Sequence, residues 1–177
     1  DALPISFRTS PRNEPLVWDR HIPAAICETV GHEWMLSGQT RTPLPGEIIH
    51  TMYQALRTAR TETVPIRTLN YHVHLWGDAH PDHAPLLLLH GWMDVGASYQ
   101  FVVDALARAE GFERWVLAPD WRGFGRSASG DVDSYWFPDY VGDLDALIDR
   151  VSPDAPVDLV GHSLGGNVVM LYAGTRP

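Results

Sequence analysis

Residues Gly161-His162-Ser163-Leu164-Gly165 place a serine hydroxyl between two glycines, each two positions away. Serine in this spacing suits nucleophilic attack on an acyl carbonyl, provided the backbone turns sharply enough to lift Oγ clear. The flanking residues supply such a turn. Val157 to Val160 has strand character, and Gly166 to Ala173 has the composition of a helix. Gly-x-Ser-x-Gly is common by chance; between a strand and a helix it carries chemistry, because small neighbours let the chain reverse tightly. Ser163 is therefore the candidate nucleophile.

A nucleophilic serine needs a general base, usually histidine, and a carboxylate to orient it. On an elbow of this kind both follow the serine in chain order. No His, Asp or Glu lies between Ser163 and Pro177, and all nine histidines precede the serine. The expectation is the front part of an enzyme, inactive and poorly soluble by itself. Its last strand should be an apolar, unpaired sheet edge of the kind that aggregates.

The remaining pattern is globular. In 177 residues, 45% are hydrophobic and 20% charged, and no apolar run reaches membrane-spanning length. The net charge is −9, all of it carried by residues 61–177, where seven arginines face sixteen acids. That balance argues against nucleic acid and anionic membrane as partners; a small acyl substrate is expected from the candidate serine nucleophile instead. Nothing in the pattern sets an oligomeric state. Cys27 is the only cysteine, so no internal disulfide forms and a cytoplasmic setting is expected. The chain has no lysine, which fits GC-rich coding DNA of a bacterial type and leaves no phosphate loop.

No cofactor is expected. Gly123-Phe124-Gly125 lacks the third glycine of a dinucleotide fingerprint, since Ala128 stands there. No metal is expected either. His72 and His74 share a strand face and His80 and His83 are near in sequence, but an outer strand and a loop give neither pair carboxylate or cysteine support.

Two regions differ in character. Residues 1–51 are rich in Pro, Arg and Thr without strand alternation, and Asp1 to Ser6 match a translated sequencing adapter. They are expected to be a doubtful N-terminal extension, with Met52 or Met35 as the true start. The competing reading is a genuine extension, with Ile48, Ile49, Met52, Tyr53 and Leu56 spaced along a helix face. Residues 52–177 are expected to hold the N-terminal part of the catalytic domain, its cap and C-terminal part missing. From residue 61 the order is regular. Strands are predicted at Thr61–Pro65, Leu69–Trp76, Pro85–His90, Trp115–Pro119 and Val157–Val160. Helices are predicted at 98–110, with Ser98 as cap and Phe101, Val102, Ala105, Leu106 and Ala109 on one face, and at 138–150. The alternation gives an α/β chain with a largely parallel sheet.

Three segments in order, His90-Gly91-Trp92-Met93-Asp94, Pro119 to Ser127, and the elbow, resemble the α/β-hydrolase family over residues 61–177. The resemblance implies an α/β-hydrolase fold of eight strands, of which the first five are here. It implies oxyanion-hole N–H groups from Leu164 and Trp92, with Met93 as the alternative donor. Trp92, Met93, Trp121, Phe124 and Trp136, beyond the carboxyl ends of strands, are the candidate substrate-binding residues. Relatives that cleave carbon–halogen bonds or epoxides carry aspartate at the elbow, so Ser163 favours an ester-like acyl substrate. The alternatives are a non-catalytic ligand-binding member of the fold, or an acyltransferase or perhydrolase. Structural roles are expected for His162, for His90 under the oxyanion loop, for Asp120 and Arg122 as a loop-ordering ion pair, for Asp94 within its loop, and for Ser127 in a turn.

Overall fold

Leu86 to Leu89 are apolar without interruption, and all four are buried because helices cover both faces of the sheet they enter. A computed structural model describes the backbone of residues 5–8 together with residues 53–109, 111–127 and 134–175. The strands are β1 (Ile5–Arg8), β2 (Arg60–Ile66), β3 (Leu69–Trp76), β4 (Leu86–Leu89), β5 (Val116–Pro119) and β6 (Asp158–Gly161). The helices are α1 (Gln100–Ala107), entered through a 3-10 turn at Gly96–Tyr99, α2 (Phe137–Val151) and α3 (Leu164–Thr175). The sheet order is β1-β6-β4-β5-β3-β2.

β4 runs parallel to both β5 and β6, whereas β2 and β3 form an antiparallel hairpin laid antiparallel on β5. The five expected strands are all present, but the sheet is mixed where a largely parallel one was expected: only β4, β5 and β6 run parallel, because β3 is joined to β2 by a tight hairpin and lies antiparallel on β5. Period-two alternation divides their side chains between two cores. Leu87, Leu89, Leu117 and Leu159 meet Tyr140, Leu144 and Leu147 of α2 and Val168, Val169 and Tyr172 of α3. Leu86, Leu88, Val116 and Ala118 meet Val103 of α1 on the other side.

Several expectations are corrected. The edge of β6 is not bare: β1 pairs antiparallel with it, from Ile5 opposite Gly161 to Arg8 opposite Asp158. An exposed row of N–H and C=O groups recruits any extended backbone that reaches it, whatever its side-chain pattern. Ser98 does not cap α1; its hydroxyl bonds Asp94 and the Val95 carbonyl, because the 3-10 turn comes first. Phe101 is exposed beside Tyr53, and α1 instead buries Val103 and Asp104. Tyr53 to Leu56 are not helical. Residues 9–52, which include the rest of that expected helical face, lie outside the described residues.

Candidate active site

β6 ends at Gly161, and α3 begins at Leu164. Only His162 and Ser163 connect them. Ser163 takes φ 52°, the left-handed region that costs a non-glycine residue about 1–2 kcal/mol. The surroundings hold it there. A Cβ on Gly165 would strike the Leu89 carbonyl, and one on Gly161 would stand 2.5 Å from the Gly166 nitrogen. Both glycines are required by close backbone approach. The His162 N–H donates to Leu89 O (2.9 Å), the Gly165 N–H to His162 O (2.9 Å), and the Asn167 N–H to Ser163 O (3.0 Å). The buried backbone is thus tied down, while the side chains of His162 and Ser163 are exposed.

The loop after β4 lies against this turn. A Cβ on Gly91 would stand 3.2 Å from the Ser163 Cβ. Met93, two residues on, takes φ 55°. Trp92 and Met93 are exposed, at 60% and 83%. Leu164 opens α3, where first-turn N–H groups have no intrahelical partner and favour negative charge.

His90 is fully buried and cannot serve as base to Ser163. Its Nε2 accepts from the Trp121 N–H (2.9 Å), so Nδ1 carries the proton and donates to Gly91 O (2.7 Å). Burial holds its pKa below the usual imidazole range, against the opposing pull of the Gly91 carbonyl. Both nitrogens shape the loop. Trp121 is a correction: it is wholly buried, its indole donating to His90 O (3.0 Å), so it supports the loop instead of facing substrate. Phe124 is half-buried and stands edge-on to Trp92, ring centres 5.3 Å apart. Trp136 is exposed at the start of α2.

Asp94 accepts from Val95 N–H and from Ser98, inside its own loop. Asp120 accepts from the Gly96 N–H and the Arg126 N–H, both at 2.8 Å. Its expected partner Arg122 is bound elsewhere. Arg122 makes a two-pronged contact with Asp143 of α2 (2.6 and 2.8 Å), and the Tyr71 hydroxyl donates to the same carboxylate. Burial pushes the Tyr71 phenol up, and the Asp143 carboxylate pushes it further. Asp143 lies among apolar positions of its helix and gave no local sign of this role; only the tertiary pairing reveals it. Ser127 has the expected turn role, donating to Asp120 O and accepting from the His72 N–H (3.0 Å). The view that His72 and His74 lack carboxylate support also fails: β3 is an inner strand, and Asp120 at the end of β5 reaches them.

The family model for the alpha/beta hydrolase fold matches residues 84–177. Over 130 residues the chain is 29% identical to a serine hydrolase-like protein of Danio rerio, covering 72% of this chain and 38% of that protein. Lipase LipV of Mycobacterium tuberculosis is 34% identical over 112 residues, covering 62% of this chain and 38% of LipV. Among solved structures, a thioesterase domain from the curacin biosynthetic pathway superposes with a TM-score of 0.58 at 29% identity, over 68% of this chain and 41% of that one. A haloalkane dehalogenase variant from Bradyrhizobium elkanii reaches 0.58 at 25% identity, over 68% and 37%. The chain spans less than half the length of each of these relatives.

Proposed function

This chain belongs to the α/β-hydrolase family, and from that premise we propose that it supplies the nucleophile and oxyanion hole of a serine hydrolase acting on ester-like acyl substrates. The observation that carries the reading is the exposed Ser163 at φ 52° between β6 and α3. Similarity alone does not choose the chemistry, since lipase, thioesterase and dehalogenase names all occur among the relatives. The serine at the elbow supports acyl chemistry, because a hydroxyl can add to a carbonyl carbon and the resulting acyl-enzyme can be hydrolysed by water.

In the proposed reaction Ser163 Oγ adds to the acyl carbon, and the carbonyl oxygen becomes an oxyanion. The Leu164 N–H and the Trp92 N–H receive it, with Met93 as the alternative to Trp92. Collapse expels the alcohol or thiol and leaves the acyl group on Oγ; water then reverses the sequence. Exposed Trp92, Met93 and Trp136, with Phe124 edge-on to Trp92, are the side chains we assign to an apolar acyl pocket. The proton on Oγ requires a base, and among the described residues neither His90, which is locked, nor His162, which lies on the turn itself, can take it. Hydrolysis is expected to need a histidine and a carboxylate that reach Ser163. A cytoplasmic setting in a bacterial-type cell is part of the same proposal, on the single cysteine and the lysine-free composition. Among the described residues no helix is long and apolar enough to cross a membrane.

A fluorophosphonate probe tests the nucleophile. In an extended chain that carries the base, it should label Ser163 and no other serine, and Ser163→Ala should lose both label and ester hydrolysis. Hydrolysis that survives Ser163→Ala would sink the proposal.

A further inference from the structure

β3 and the loop after β5 bring two imidazoles and a carboxylate to one place. His72 and His74 stand two residues apart on one face of β3, ring centres 4.8 Å apart and edge-on. His74 Nε2 lies 3.5 Å from Asp120 Oδ1. One ligand atom from each of the three falls within 4.8 Å of the others. His72 is only 8% exposed, and its Nε2 is buried without a hydrogen-bond partner. A buried polar atom left unpaired is unfavourable, and the proposed reaction at Ser163 does not use it.

We propose that His72, His74 and Asp120 form a binding site for a divalent transition-metal ion of the zinc class. Two imidazoles and one carboxylate are the donor set such ions take, whereas magnesium and calcium prefer all-oxygen surroundings. Asp120 already has one N–H on each oxygen, from Gly96 and Arg126. Each oxygen keeps a further lone pair for the ion, and the two N–H groups fix the carboxylate's orientation. Tetrahedral ligands at ~2.0 Å from zinc stand roughly 3.3 Å apart, so binding draws the three side chains inward by rotation. Arg126, whose charge acts on His72, is at the exposed rim, where its guanidinium can turn to water. The ion leaves Ser163 untouched and joins β3 to the two loops that Asp120 bridges. A Cβ on Gly96 would lie 2.8 Å from His74 Cδ2, so the segment just after the oxyanion loop packs directly on a ligand.

Zinc uptake by the intact, chelator-stripped chain, measured by equilibrium dialysis with elemental analysis, tests the site. One zinc per chain is expected, and a cobalt-loaded sample should show the visible bands of a tetrahedral nitrogen–oxygen site. His72→Gln and His74→Gln should each weaken binding by about tenfold or more. Paired His80→Gln and His83→Gln substitutions in the exposed loop should leave it unchanged. Uptake that survives His72→Gln with His74→Gln, or that depends on His80 and His83, would overturn the assignment. The cobalt spectrum of the unaltered chain decides the matter if a variant fails to fold, and an octahedral all-oxygen spectrum or no uptake overturns it.

Discussion

Gly91 and Ser163 approach so closely that a Cβ on Gly91 would stand 3.2 Å from the Ser163 Cβ and 2.8 Å from His162 Nδ1. The two residues follow β4 and β6, which are parallel neighbours, so their loops leave the sheet on the same side. Adjacent strands thus bring the proposed nucleophile and oxyanion donors together, with Trp121 bracing the loop through His90.

Gly91→Ala should therefore displace the oxyanion loop from the elbow. A shift near 1 Å is enough to cost about 100-fold in rate when a donor must meet a developing charge. The value of kcat/KM for a short acyl ester, measured in the active extended chain, should fall by that order while fluorophosphonate still labels Ser163. An unchanged kcat/KM would separate the loop from catalysis.

Ser163 carries backbone strain for the sake of its position. Ser163→Gly relieves the left-handed φ, whereas Ser163→Ala keeps it. Ser163→Gly should be the more stable of the two by about 1 kcal/mol, seen as a higher urea midpoint at the same slope. Equal midpoints would mean that the turn is not strained.

The strands and the elbow were legible because their signals are local. An unbroken run of four leucines marks β4, and Gly161 and Gly165 flank Ser163 at fixed offsets. The bland role read for His90 was legible from its place beneath the loop. Contacts that join distant segments were not. Asp143 looks like an ordinary acid on α2, and Asp120 looks like the partner of Arg122; the sheet order gives Arg122 to Asp143 and Asp120 to His74. Trp121 was misplaced for a related reason, since aromatic character alone does not say which side of a loop a ring takes. The pairing of β1 with β6 depends on backbone groups and leaves no trace in composition.

Asp143 anchors the loop after β5 to α2 through Arg122, which is itself 6% exposed. Asp143→Ala leaves that buried guanidinium only the more distant Asp139 carboxylate (3.5 Å) and should destabilise the fold by about 3 kcal/mol. Replacing both partners, with Arg122→Met and Asp143→Leu, should recover part of the loss, since no buried charge is then stranded, although the Tyr71 hydroxyl and Arg67 lose the carboxylate they share. Chemical denaturation of the three variants checks this; a double variant no better than Asp143→Ala would contradict it.

Asp104 gives a stability that depends on pH. Its carboxylate accepts from the Tyr53 hydroxyl, from the Leu56 and Arg57 N–H groups (3.1 and 3.2 Å), and from Gln100 Nε2 (3.0 Å). Burial alone would raise its pKa, but these donors outweigh burial and hold it below the usual aspartate range. A carboxyl whose folded pKa is depressed stabilises fully above its unfolded value of about 3.9, and loses that contribution as pH falls through the folded value. Segment 53–57 should therefore loosen from α1 on acidification. Asp104→Asn should cost roughly 1–3 kcal/mol at pH 7, and the gap to the unaltered chain should close below about pH 4. Urea denaturation of both proteins at neutral and acid pH, with hydrogen exchange of the Leu56 and Arg57 N–H groups as the local readout, tests the argument. A gap that stays constant across that range would mean that the carboxylate's charge does not hold the segment.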